Sequence, residues 1–196
     1  MSSGFARLQM NQKEQLELVL LNFTKMLWRR GLIEENKVKE IHQKLFNQNP
    51  ENGKYQLDLS GKKLSLMVYF FPLSSIKKGS DIEEFILSKK DYGFLLVAES
   101  SKKTMSQGAD HNTEVFETTE FLVDIPANPL VSKHELLTKE EADKIYQIYP
   151  ERTLPKIFSS DIMTRYMGAK VGDLFKITRP TVSSGETVYY RRVVHP

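Results

Sequence analysis

The run Asp-Leu-Phe-Lys-Ile-Thr-Arg at residues 173–179 constrains this chain more than any other stretch. Phe175 and Ile177 fall on one side of an extended backbone while Leu174, Lys176 and Thr178 fall on the other, which is the two-residue period of a half-buried strand. Gly168 and Gly172 stand ahead of the run and Pro180 removes a backbone donor just after it, so backbone chemistry predicts both ends. A second β-rich run, residues 187–194, follows the loop at 181–185, and a hairpin is expected. Two helical signals precede it. Thr138 and Glu141 are spaced as a capping box, with Ala142, Ile145 and Tyr149 recurring at helical intervals before Pro150. Ser160 reads as the cap of a second helix that places Ile162 and Tyr166 on one face and Gly168 at the left-handed terminating position. The last third is therefore expected to be a small α+β domain of two short helices and a β-hairpin.

The preceding two thirds read as an α/β domain with a small mixed sheet. A capping signature at Asn11 and Glu14 opens a long helix that carries Leu16, Leu20, Phe23 and Leu27 on one face, with Gly31 after it. Trp28 is the sole tryptophan. Its indole is expected to pack on the core at the helix end, with Arg29 and Arg30 solvated. Residues 34–46 continue as a helix with Val38, Ile41 and Leu45 inward, and residues 47–53 form a loop. Tyr55, Leu57 and Leu59 alternate as a strand, Ser60 and Gly61 turn the chain, and residues 64–71 form a longer strand. Ser80 and Glu83 cap a short helix through Phe85 and Ile86, and residues 93–98 are a continuous apolar strand. Strand, helix and apolar strand together predict a crossover with a parallel pair. Residues 100–113 show no apolar periodicity and read as a loop with room for one helical turn. Residues 114–125 read as a further strand, and Pro126 and Pro129 bound a linker that sets the domains at 1–129 and 130–196.

Charge and composition exclude several classes of protein. The chain contains no cysteine, so disulfides and thiolate metal sites are excluded and a reducing compartment is expected. Apolar runs fall short of a membrane span and the N-terminus lacks the apolar core of a signal peptide, so a soluble protein is expected. The net charge of +3 is unevenly held: residues 130–196 carry 11 Lys and Arg against 8 Asp and Glu, while residues 1–129 carry 17 of each. That excess is modest for a stand-alone duplex binder.

Several pieces of the last third carry a family resemblance. Leu130-Val-Ser-Lys-His134, Leu154-Pro-Lys-Ile157, residues 161–172 with Arg-Tyr-Met-Gly, Lys176-Ile-Thr-Arg179 and Tyr190-Arg191 follow one another in the order and spacing of a known assembly domain. It resembles that of the fifth shared subunit of eukaryotic DNA-directed RNA polymerases, a domain that archaeal polymerases also carry. Two positions depart from the pattern: Ser132 stands where the family has proline, and the loop 181–185 lacks the family's glutamate. The resemblance implies a non-catalytic polymerase subunit acting in transcription. Its C-terminal domain would dock on the largest subunit, and an N-terminal jaw domain, matched by element order alone, would lie at the downstream DNA. It also implies a nuclear location, or a virion or cytoplasmic replication site for a virus-encoded chain.

No phosphate-cradling glycine loop, zinc-protease motif or elbow serine is present, and His42, His111, His134 and His195 are scattered without carboxylates at ligand spacing. No metal, cofactor or small-molecule substrate is expected. Lys102 and Lys103, flanked by Ser100, Ser101 and Thr104, place ammonium and hydroxyl groups where phosphate oxygens could be met without base readout. The resembled family has its DNA-proximal loop here, so Lys102, Lys103 and Thr104 are the DNA-facing candidates. Other lysine pairs, such as Lys62 with Lys63, Lys77 with Lys78 and Lys89 with Lys90, read as ordinary turn and helix-end charges. Lys133, His134, Lys176, Arg179, Tyr190 and Arg191 are the candidates for docking on other polymerase subunits. Two other classes compete with this reading. A metal-dependent nuclease would use the carboxylate and lysine pairs at Glu35 with Lys37 and Glu51 with Lys54. A free-standing nucleic-acid binder is disfavoured by the neutral first two thirds.

Overall fold

A computed structural model describes residues 10–48, 50, 53–59, 62–88, 92–181 and 185–196. The N-terminal stretch 1–9, the turn read at Ser60 and Gly61, Glu51, the pair Lys89 and Lys90, and the centre of the loop 181–185 lie outside those residues. The chain forms two compact units, Met1–Val123 and Asp124–Pro196.

In the first unit, helix α1 (Gln12–Arg29) starts on a reciprocal cap. The Asn11 side chain accepts the Glu14 N–H while the Glu14 carboxylate accepts the Asn11 N–H. Leu20, Phe23 and Leu27 are completely buried, as their spacing predicts. A 3₁₀ turn at Glu35–Lys37 leads into α2 (Val38–Gln48), which buries Val38, Ile41 and Leu45. Four strands follow in spatial order: β1 (Lys54–Leu59), β2 (Lys62–Leu73), β3 (Tyr92–Ser100) and β4 (Thr113–Glu117). β1 and β2 are antiparallel, and β2, β3 and β4 run parallel. Helix α3 (Asp81–Ser88) makes the expected crossover between β2 and β3. Phe94, Leu95, Leu96 and Val97 are all fully buried, the continuous apolar run that a strand covered on both faces requires. Only half of the box predicted at α3 forms: Ser80 accepts the Glu83 N–H, but the Glu83 carboxylate takes the Gly79 N–H.

Two expectations for this unit are corrected. Residues 102–109 are not a loop but an eight-residue helix, α4 (Lys102–Ala109), capped by Ser101. Its sequence hides it, because Ser106 and Gly108 are poor helix formers and the contact to the sheet is made by a missing side chain. A Cβ on Gly108 would stand 2.6 Å from Val115 Cγ2 and 2.9 Å from the Thr113 carbonyl oxygen. The strand expected over 114–125 stops at Glu117, and 3₁₀ turns occupy Thr118–Phe121 and Ile125–Ala127. The bend drives Phe121 edge-on against Phe23 and Phe116, and the Asn22 side chain donates to the Phe121 carbonyl at 2.8 Å. Burial of one aromatic outweighs continuation of a solvent-edge strand.

The second unit is a four-stranded sheet in the order β5 (Lys133–Leu136), β7 (Leu174–Thr181), β8 (Gly185–Val194), β6 (Lys156–Phe158). β7 and β8 pair antiparallel from Leu174 with Arg192 to Thr181 with Gly185, which is the predicted hairpin. β5 and β6, short strands unread in the sequence, flank it. Helix α5 (Lys139–Ile148) carries the predicted reciprocal cap between Thr138 and Glu141. Helix α6 (Ile162–Tyr166) is capped by Asp161, whose carboxylate accepts the Met163 N–H at 2.8 Å, rather than by Ser160. Two further corrections concern β7. Leu174 is 1% exposed and packs with Ala142 and Leu154, while Phe175 and Ile177 pack with Ile157 and Val193 on the opposite side, so the start of the strand is covered on both faces. Pro180 lies within the strand instead of ending it. β5 pairs β7 no further than Thr178, so the proline sits where β7 has a neighbouring strand on one side only and a missing donor is tolerated.

Candidate interaction surfaces

The carboxyl ends of β2 and β3 lie side by side, with Leu73 opposite Ser100. Ser101 accepts the Thr104 N–H at 3.1 Å as the α4 cap, and its own hydroxyl donates to the Ser74 carbonyl. The Gln107 amide accepts the Ile76 N–H at 2.9 Å and donates to the Ile76 carbonyl at 3.3 Å, which ties α4 to the segment leaving β2. Lys102 and Lys103 thus project, exposed, from the first turn of an anchored helix. Two cations there oppose the positive end of the helix dipole, an arrangement a nearby anion relieves. Thr104 drops out as a DNA-facing residue. It is completely buried and its hydroxyl donates to the Leu73 carbonyl at 2.8 Å.

Strand register divides the six docking candidates. Lys176 is opposite Tyr190 and next to Glu135, and Lys133 is opposite Thr178, so Lys133, Lys176 and Tyr190 share one face with Leu174 and Arg192. His134 is opposite Ile177, Arg191 opposite Phe175, and Arg179 follows Ile177 by two residues, so these three share the other face. The first face neutralises itself. Glu135 lies 2.6 Å from the Lys133 ammonium and 3.4 Å from that of Lys176, and Arg192 meets Glu151 at 2.6 Å. The Lys133 hydrogen bond, aided by the charges of both lysines, holds the Glu135 carboxyl below the ordinary carboxylate range. Tyr190 packs beside the cluster of Ala142, Leu154 and Leu174. On the second face, the Arg191 guanidinium lies 5.8 Å from the Tyr189 ring centroid, and its Nε is buried with no hydrogen-bond partner among the described residues. His134 stands edge-on to Phe175 at 5.8 Å, with Nδ1 2.7 Å from the Ser132 carbonyl oxygen. That contact uses a backbone oxygen, which proline at 132 would present equally.

Sequence reasoning missed the strongest charged contact of the first unit. Arg30, expected to be solvated, has a side chain only 7% exposed and grips Glu114 with both ends of its guanidinium, at 2.8 and 2.7 Å. Its Cζ lies 5.4 Å from the Phe94 ring centroid and 6.0 Å from that of Phe116, and the Tyr92 hydroxyl donates to the same carboxylate. Burial pushes the Tyr92 phenol well up, and the Glu114 charge adds to the effect. The neighbouring Arg29 does cover the partly buried Trp28 ring, at 5.4 Å. Arg30 and Glu114 are 84 positions apart, so no local signal could have joined them.

Of the groups weighed for a nuclease, Glu35, Lys37 and Lys54 lie among the described residues. Glu35 and Lys37 share one 3₁₀ turn, where Lys37 meets Glu34 at 3.8 Å, and Lys54 meets Glu84 at 3.3 Å. Among the described residues no group of three or more His, Asp or Glu is placed to hold a metal ion, and no helix is long and apolar enough to cross a membrane.

Residues 123–193 match the family described as RNA polymerase Rpb5, C-terminal domain. DNA-directed RNA polymerase subunit Rpo5 of Archaeoglobus fulgidus is 48% identical over 67 residues, which is 33% of this chain and 88% of the relative. DNA-directed RNA polymerase subunit 5 of Acanthamoeba polyphaga mimivirus is 26% identical over 202 residues, covering 98% of each chain. The subunit rpabc1 of DNA-directed RNA polymerases I, II, and III of Dictyostelium discoideum is 37% identical over 99 residues, 50% of each chain. The second unit carries the match to the C-terminal-domain family, the archaeal relative is covered over 88% of its length at 48% identity and similarity to the viral relative spans both units, so the chain belongs to the family of subunit 5 of DNA-directed RNA polymerases.

Proposed function

We propose that the chain is a non-catalytic subunit of a DNA-directed RNA polymerase, tied to the largest subunit by its second unit and lining the path of downstream DNA with its first. One observation carries this reading. The match to the C-terminal domain of an RNA polymerase subunit falls on residues 123–193, nearly the whole of the second unit, so this unit carries the polymerase-subunit signature. Lys102 and Lys103 support the role of the first unit. They offer phosphate contacts that ignore sequence and are weak enough to let DNA slide. The chain works in the nucleus or, if virus-encoded, in the virion or at a cytoplasmic replication site.

The reading is tested by tagging the full chain in its source and purifying it gently. The expected product contains the large polymerase subunits in equal amount to the tagged chain; a monomer that cuts DNA with magnesium would refute it. Lys102→Ala with Lys103→Ala should leave assembly intact and release downstream duplex at lower salt, with retention reduced by about threefold to tenfold. Identical retention across a salt series would remove the lysines from the DNA path.

A further inference from the structure

The two faces of the second unit's sheet differ in how their charge is satisfied. On the face of Lys133 and Lys176, Glu135 and Glu151 lie within ion-pair distance of the cations. Glu186, opposite Pro180, belongs to the same face and acts on Lys133. On the opposite face, the paired positions of β5, β6, β7 and β8 hold no carboxylate among the described residues, while Arg179 is exposed and the Arg191 guanidinium lies 5.8 Å from the Tyr189 ring centroid. Neither guanidinium meets a carboxylate of its own face, so both suit a planar anion supplied from outside the unit.

We infer that this second face, through Arg179 and Arg191, is the surface that docks on an acidic polypeptide segment of another polymerase subunit, its carboxylates meeting the two guanidinium groups. The inference rests on the polymerase-subunit reading and adds the face and the chemistry of the partner. Two observations favour a polypeptide over nucleic acid. The match to the C-terminal domain of an RNA polymerase subunit falls on residues 123–193, nearly the whole of this unit. β6 pairs with β8 only from Arg192 onward, so β8 up to Arg191 runs along an edge that no strand among the described residues covers. An extended peptide can add to such an edge beside Arg191, and a phosphate backbone cannot match it in register. Lys133 and Lys176 are bystanders, already neutralised within the unit.

The test uses the full chain assembled into the polymerase of its source. Arg179→Lys with Arg191→Lys preserves the charge and supplies amines that a carbodiimide couples directly to an adjacent carboxylate, and mass spectrometry then locates the joined residues. The expected result is a link from position 179 or 191 to an Asp or Glu of another subunit, unaffected by prior nuclease digestion. Arg179→Glu with Arg191→Glu should reduce retention in the complex by at least about tenfold at moderate salt, and Lys133→Glu with Lys176→Glu should change it far less. Links only from Lys133 or Lys176, no link from either substituted position, or release of the chain by nuclease would each overturn the inference while leaving the polymerase reading standing. A wild-type chain absent from the polymerase would overturn both.

Discussion

Glu114 and Glu135 are each shared between two side chains, and their surroundings make them opposites. Glu114 in the first unit is shared by Arg30 and Tyr92 against the rings of Phe94 and Phe116, with the arginine side chain 7% exposed. Glu135 in the second unit is shared by Lys133 and Lys176 on an open sheet face, with the lysine side chains 70% and 38% exposed. Similar distances therefore carry different free energies. Inside the first unit the ions have lost most of their water, and removing one strands the other; on the second unit's face solvent and salt replace whatever is removed. The first network fixes a fold, whereas the second only sets which cations stay available to a partner.

The largest effect should come from breaking the buried network on one side. Arg30→Met leaves the Glu114 carboxylate beside two aromatic rings with the Tyr92 hydroxyl as its main partner, and should cost the first unit about 3 kcal/mol in urea unfolding. Arg30→Met combined with Glu114→Leu removes both ions and should restore stability to within about 1 kcal/mol of wild type, because apolar residues of similar volume replace a buried pair at little net cost. A single variant no weaker than the double one would show that the pair behaves like the exposed network and would erase the distinction.

The sequence was readable where one segment decides its own structure. Asn11 with Glu14 and Thr138 with Glu141 satisfy helix ends within three residues, and the apolar run of β3 announces a covered strand by itself. It was silent where distant segments decide. β5 and β6 are four and three residues long and are strands because β7 and β8 pair with them. α4 packs through the absence of a side chain at Gly108, and Phe121 leaves the strand path to meet Phe23. The candidate surface shows the same limit. The six docking candidates could be named from motifs, but only the register separates Lys133, Lys176 and Tyr190 from His134, Arg179 and Arg191. Thr104 was misjudged because a hydroxyl beside two lysines looks available until its bond to Leu73 is seen.

A second, smaller effect separates the networks by pH. The Tyr92 phenol is raised above its ordinary value by burial and by the Glu114 charge. A group raised on folding contributes stability that is full below its unfolded pKa, about 10 for tyrosine, and is lost as pH climbs toward the folded value. The first unit should therefore weaken on the alkaline side. Tyr92→Phe should cost about 1 kcal/mol at neutral pH, through the lost bond to a charged acceptor, and should flatten that alkaline limb. Unfolding midpoints measured between neutral pH and about pH 11 should converge for the two chains as pH rises. Parallel curves would mean that the phenol titrates as it does in solvent.

The smallest effect lies at the opposite end of the pH scale. Glu135 is held below the ordinary carboxylate range by the Lys133 hydrogen bond and the two lysine charges, so its contribution is present above the unfolded carboxylate pKa and is lost as pH falls through the folded one. Its exposure and that of its partners keep the contribution under about 0.5 kcal/mol, and salt should remove most of it. Glu135→Gln should accordingly leave the second unit's melting temperature nearly unchanged at pH 7 and abolish only a shallow acid dependence visible at low ionic strength. A loss as large as that of Arg30→Met would show that Lys133, Glu135 and Lys176 form a structural network. In that case the face they occupy, rather than the face of Arg179 and Arg191, would be the part of the sheet the fold cannot spare, and the reason for treating Lys133 and Lys176 as bystanders to docking would go with it.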